Sequence, residues 1–93
     1  MKKVIQNKDE NTIHVSCVKQ SDYLGFICPN GEKHLIYFQA DDGRLFHFIR
    51  KDAKYSYCRR HSSVQSMIEH HWLCQCEVFI FDSQKQQLEW FLK

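Results

Sequence analysis

The chain has 93 residues, enough for one domain spanning 1–93 and too short for two. Hydrophobic residues make up 43%, charged residues 26% and aromatics 14%, so a core can form from large side chains alone and wholesale disorder is excluded. A net charge of +2 is too small by itself to announce a nucleic-acid or membrane partner.

The first dozen residues, MKKVIQNKDENT, begin with lysines as a signal peptide does, but no apolar stretch follows. They are expected to be loose. No run approaches the roughly 18 apolar residues of a membrane span, so no membrane partner is expected and a cytoplasmic location is. There the five cysteines would be thiols.

From Ile13 the sequence reads as strands. IHVSCVK alternates Ile13, Val15 and Cys17 against His14, Ser16 and Val18. Asn30-Gly31, between YLGFICP and EKHLIYFQ, predicts a two-residue hairpin turn that pairs Cys28 with Lys33 and Phe26 with Leu35. Asp42-Gly43 repeats the device and pairs Gln39 with Phe46 and Tyr37 with Phe48. A third turn at Asp52-Ala53 pairs Arg50 with Tyr55 and Phe48 with Tyr57.

A helix follows from about Ser62 to Leu73. Ser62 with Gln65 makes a capping-box pattern, with Ser63 as a competing cap. Val64, Met67, Ile68 and His71 share one face at helical spacing. Then CEVFIFD reads as an apolar strand, SQK as a turn and QQLEWFLK as its alternating partner, a closing hairpin. The fold class is therefore α+β: an antiparallel meander of about six to seven strands with a single helix packed on it.

Three chemistries compete for the histidines, cysteines and basic residues. Cys58-x2-His61 with His70 and Cys74, four apart on the helix, is the set that a zinc ion would choose. The spacing is not that of a regular finger, so no metal and no cofactor is expected. Cys58 with His61, or with His47 directly across the strands, could form a nucleophile–base pair. No phosphate loop, nucleophile elbow or paired-carboxylate motif accompanies it, so no catalytic residue is assigned.

The predicted registers gather Leu35, Tyr37, Gln39, Phe46, Phe48, Arg50, Tyr55, Tyr57 and Arg59 on one sheet face. The other face takes Ile36, Phe38, Leu45, His47 and Ile49 as a core surface. The segment Arg50 to Arg60 carries +4, leaving −2 for the rest of the chain. Arg50, Lys51, Lys54, Tyr55, Tyr57, Arg59 and Arg60 are the candidate partner-binding residues. The expected function is a small non-catalytic binding or regulatory protein acting through a protein partner. Inhibitors and immunity-type proteins of bacterial or phage origin have this size and aromatic content. The alternative is a nucleic-acid-binding module, with rings stacking on bases and cations holding phosphates. Exposed strand edges also leave a homodimer open.

Overall fold

A computed structural model describes residues 1–6, 12–39, 41, 43–52, 54–60 and 63–93, with side chains except at Gln39 and positions 58–60. The elements are β1 (Lys2–Ile5), β2 (Thr12–His14), a 3-10 turn (Val15–Cys17), β3 (Tyr23–Ile27), β4 (Lys33–Gln39), β5 (Arg44–Lys51) and β6 (Lys54–Arg60), then α1 (Val64–Leu73), β7 (Glu77–Phe81) and α2 (Gln84–Leu92). Seven strands form one sheet in the order β2-β1-β7-β3-β4-β5-β6. Among the described residues only β1 and β2 run parallel; the other pairs are antiparallel. The class is α+β, as the alternation of strand and helix patterns predicts.

The sheet is covered on both faces. On one, Val64, Met67 and Ile68 of α1 pack into a single core with Val4, Leu24, Phe26, Ile36, Leu45 and Val78. The predicted helix face, Val64, Met67, Ile68 and His71, is the buried one. The cap is Ser63, whose hydroxyl accepts from the Ser66 amide. Ser62, the first candidate for the cap, lies outside the described residues.

The other face carries α2, and here the predicted closing hairpin is wrong. QQLEWFLK is helical, so the described residues hold two α-helices rather than one. Ser83 caps α2 by accepting from the Gln86 amide, and the Gln86 carboxamide reaches back to the Asp82 amide, the reciprocal bonding of a capping box displaced by one residue. Gln, Lys, Leu and Glu are all good helix formers, and Gln87 and Phe91 are buried four apart on one helical face. The apolar residues that alternate in pairs also satisfy the helical spacing, which left the segment ambiguous in sequence. Without a hairpin partner, β7 instead enters the middle of the sheet between β1 and β3.

Three further expectations change. Lys2–Ile5, in the stretch expected to be loose, is a strand that pairs β7 and buries Val4. IHVSCVK is not one strand; β2 stops at His14, whose ring nitrogen accepts from the Ser16 amide and starts a 3-10 turn. The thiols are not all reduced: Cys28, at the end of the first hairpin strand, forms a disulfide with Cys76, just before β7. Cys17 and Cys74 are free and exposed.

The turns show how register is set. At the third turn Lys51 pairs with Lys54, Arg50 lies opposite Tyr55 and Phe48 opposite Tyr57, as predicted, with Asp52 at a φ of 55°; Ala53 lies outside the described residues. Asp42 lies outside the described residues, but in the hairpin around it Tyr37 meets Phe46 and Leu35 meets Phe48, two residues off the predicted pairing. A shift of two keeps every side chain on its face. At Asn30-Gly31 the shift is one, with Phe26 opposite His34 and Gly25 opposite Leu35. There Cys28 bonds through its amide to the Glu32 carbonyl, and Gly31 takes a φ of 88°, so the loop is longer than two residues. That slip moves Phe26 to the α1 core and sets Gly25 beneath α2.

Candidate functional site

Because α2 packs chiefly over β3, β4 and β7 and reaches β5 and β6 at Arg50 and Tyr55, whose ring lies 6.3 Å from that of Phe91, the outer face of β5 and β6 beyond that end is left open. Along it, Tyr37 stacks on Phe46 at 5.0 Å and 10°, and Phe48 meets Tyr57 at 4.7 Å and 34°. Phe46 and Phe48 are within 8° of parallel. Such cross-strand pairs stabilise the sheet, yet Tyr55 remains 58% and Tyr57 49% exposed. Lys51 and Lys54 face each other at the exposed tip of the β5–β6 hairpin, and Arg44 is exposed at the start of β5. The backbones of Arg59 and Arg60 pair with Phe46 and Leu45; their side chains are outside the described residues.

Arg50 borders this group, its guanidinium 5.9 Å from the Tyr55 ring centre, but its hydrogen bonds go elsewhere. Its guanidinium donates to the main-chain oxygens of Phe91 and Lys93 at 2.8 and 2.5 Å. Lys33, opposite Arg50 on β4, donates to the oxygens of Trp90 and Lys93 and lies 5.2 Å from the Trp90 ring centre. Two cations thus cap the negative end of α2 and tie it to the sheet. Burial, and next the Arg50 charge, hold the Lys33 ammonium below the ordinary lysine value. Arg50 therefore fastens the helix that borders the open face.

The opposite face of the same strands holds a different cluster. His34 of β4, His47 of β5 and His71 of α1 are 7%, 2% and 4% exposed, and one ring nitrogen from each lies within 4.8 Å of the others. His34 Nδ1 is 2.7 Å from His47 Nε2 and 3.4 Å from His71 Nε2. The outward nitrogens are engaged: His34 Nε2 with Glu32 Oε2 at 2.9 Å, and His71 Nδ1 with the Met67 carbonyl at 2.7 Å. A carbonyl can only accept, so the His71 proton sits on Nδ1, and an ionised Glu32 likewise fixes the His34 proton on Nε2. The hydrogen bond from His34 is the main reason that the Glu32 carboxyl titrates below its usual value; burial works against it. Phe26 stacks flat on the His71 ring at 4.0 Å and holds its orientation.

A cavity of about 540 Å³ opens beside the cluster, lined by His34, His71, Glu32, His70, Cys74 and the Cys28–Cys76 bridge. Of the zinc set read from sequence, His70 and Cys74 line this cavity and are exposed. His61 and the Cys58 side chain are outside the described residues; the Cys58 backbone does pair with His47, as the register predicted. His34 was missed. Its signal was available: His34 and His47 occupy core-facing strand positions and His71 the apolar helix stripe, three buried imidazoles in one short chain. Comparison with protein-family models, with curated proteins and with solved structures finds no match for this chain.

Proposed function

We propose that the protein is a small non-catalytic binding domain that recognises another protein through the open face of β5 and β6. The observation that carries this reading is the pair of exposed rings, Tyr55 and Tyr57, beside a sheet face already lined with aromatic side chains. Tyrosines offer large contact area with few rotatable bonds and are favoured as interface anchors. Lys51, Lys54 and Arg44 at the rim suit an acidic partner surface. The ring geometry favours a protein over nucleic acid. Tyr37 and Phe46, and Phe48 and Tyr57, cover part of one another's faces, whereas a base needs a free ring face on which to stack. An inhibitor or immunity-type role fits a domain that works by occupying a partner's surface.

The test is affinity capture from the native host with wild type and Tyr57→Ala in parallel, beside titration with short single-stranded and duplex oligonucleotides at two ionic strengths. A protein retained by wild type at stoichiometric yield and lost with Tyr57→Ala supports the reading. Oligonucleotide binding at low salt that falls steeply as salt rises would replace it with the nucleic-acid alternative.

A further inference from the structure

We propose that His34, His47 and His71 bind one divalent transition-metal ion, zinc first, through Nδ1 of His34 and Nε2 of His47 and His71, with the fourth position open to the adjoining cavity.

The first argument is a proton count. Glu32 and the Met67 carbonyl accept from the outward nitrogens of His34 and His71. With both rings neutral, their inner nitrogens, 3.4 Å apart, turn lone pairs toward the same point. Two lone pairs at that distance repel, and a cation between them removes the repulsion. The second argument is distance. Zinc–nitrogen bonds of about 2.0–2.1 Å at tetrahedral angles separate neighbouring nitrogens by about 3.3 Å. The His34–His71 separation already has this value, while the His47 and His71 nitrogens, within 4.8 Å of each other, must draw together to reach it. The His34–His47 separation of 2.7 Å is that of a shared hydrogen and must widen by about half an ångström as the ion takes its place and the proton passes to solvent, or to Nδ1 of the same His47 ring.

The surroundings match those of metal-ligating histidines. Each typically donates its outer N–H to a carboxylate or a main-chain carbonyl, which fixes its tautomer and ring angle. His34 does the first and His71 the second. The ligands come from two paired strands and a helix that packs on them, and Phe26 locks the third ring. An all-imidazole set suits zinc, copper, nickel or iron and gives magnesium and calcium nothing they prefer. Three protein ligands with an open fourth position facing a cavity is the arrangement of a site that keeps water or takes an incoming group.

The test uses the full chain with its disulfide intact, stripped with chelator and then titrated with Zn²⁺ or Co²⁺. Native mass spectrometry should find one ion per chain, and cobalt should give intense visible bands of tetrahedral geometry without a thiolate charge-transfer band. Glu32→Gln, at the half-exposed edge of the cluster, should keep the fold and weaken affinity 10- to 100-fold. His70→Ala and Cys74→Ser should bind as wild type does. The proposal is overturned if the folded wild-type chain retains no ion at micromolar zinc. It is equally overturned if affinity tracks His70 or Cys74, or if folded His34→Gln binds as tightly as wild type.

Discussion

Gly25→Ala tests the placement of α2 with a single methyl group. A Cβ built at Gly25 would lie 2.6 and 2.7 Å from Cζ3 and Cη2 of Trp90 and 2.8 Å from Cε2 of Phe81. Each is well short of ordinary carbon–carbon contact, so the indole must retreat by about 1 Å. It has little room, because the Phe81 ring lies 5.1 Å away and the Lys33 ammonium 5.2 Å away. Overpacking of this kind costs about 1–3 kcal/mol. Removing glycine from the unfolded chain offsets about 0.4–1 kcal/mol. The net loss is about 1–2 kcal/mol, and a domain of this size should melt about 5–15 °C lower. Thermal denaturation followed by circular dichroism measures it, with Trp90 fluorescence in a Trp72→Phe background reporting on α2. The same change in a Trp90→Leu background should be nearly silent, giving a coupling of about 1–2 kcal/mol. An unchanged or raised Tm for Gly25→Ala would refute the close approach and with it the helix position.

The remaining expectations concern what fastens the two layers. Met67→Asp places a carboxylate in the core between α1 and the sheet and should cost about 3 kcal/mol or more, read by urea denaturation; unchanged stability would mean that α1 buries another face. Arg50→Ala removes two charge-assisted bonds from the end of α2 and should cost about 1–2 kcal/mol, with helix loss in the C-terminal segment by hydrogen exchange; no change would detach Arg50 from that cap. Reduction should free two further thiols by counting under denaturing conditions. Because the Cys28–Cys76 bridge closes 48 residues, its removal should cost up to about 4 kcal/mol. Equal thiol counts before and after reduction would refute the bridge.

Elements with one dominant signal were legible. The face of α1 followed from Val64, Met67, Ile68 and His71 because apolar spacing there fits only a helix. The meander β3 to β6 followed from its turn residues, and the alternation on β4, β5 and β6 placed the described side chains on their observed faces. What sequence did not reveal depends on contacts made at long range. The C-terminal segment is a helix because Lys33 and Arg50, far away in sequence, cap its end and because Gly25 admits Trp90. Its local pattern suits either structure. The buried imidazoles were visible one at a time, as core-facing positions, but the one-residue slip at the first hairpin hid the place of His34 beside Phe26. Convergence of three rings is a tertiary fact, since 37 residues separate His34 from His71.

The two proposed sites lie back to back on the same strands. On β4, His34 points to the core while Lys33 and Leu35 point to the α2 side; on β5, His47 points inward between Phe46 and Phe48. A one-residue slip of β5 against β4 would dismantle both sites at once. An ion joining His34 to His47 would fix that register from the core side, and the third ligand would bind α1 to it. The open face would then be held by chemistry that a partner never touches. The readouts nonetheless separate, because Tyr57 and Glu32 stand on opposite sides of the sheet. Tyr57→Ala should abolish partner capture with metal stoichiometry unchanged, while Glu32→Gln should weaken metal binding in a chain that remains folded. Loss of both properties in Tyr57→Ala would mean that the aromatic pairs hold the register themselves, and that the open face is part of the fold's support rather than a surface for recognition.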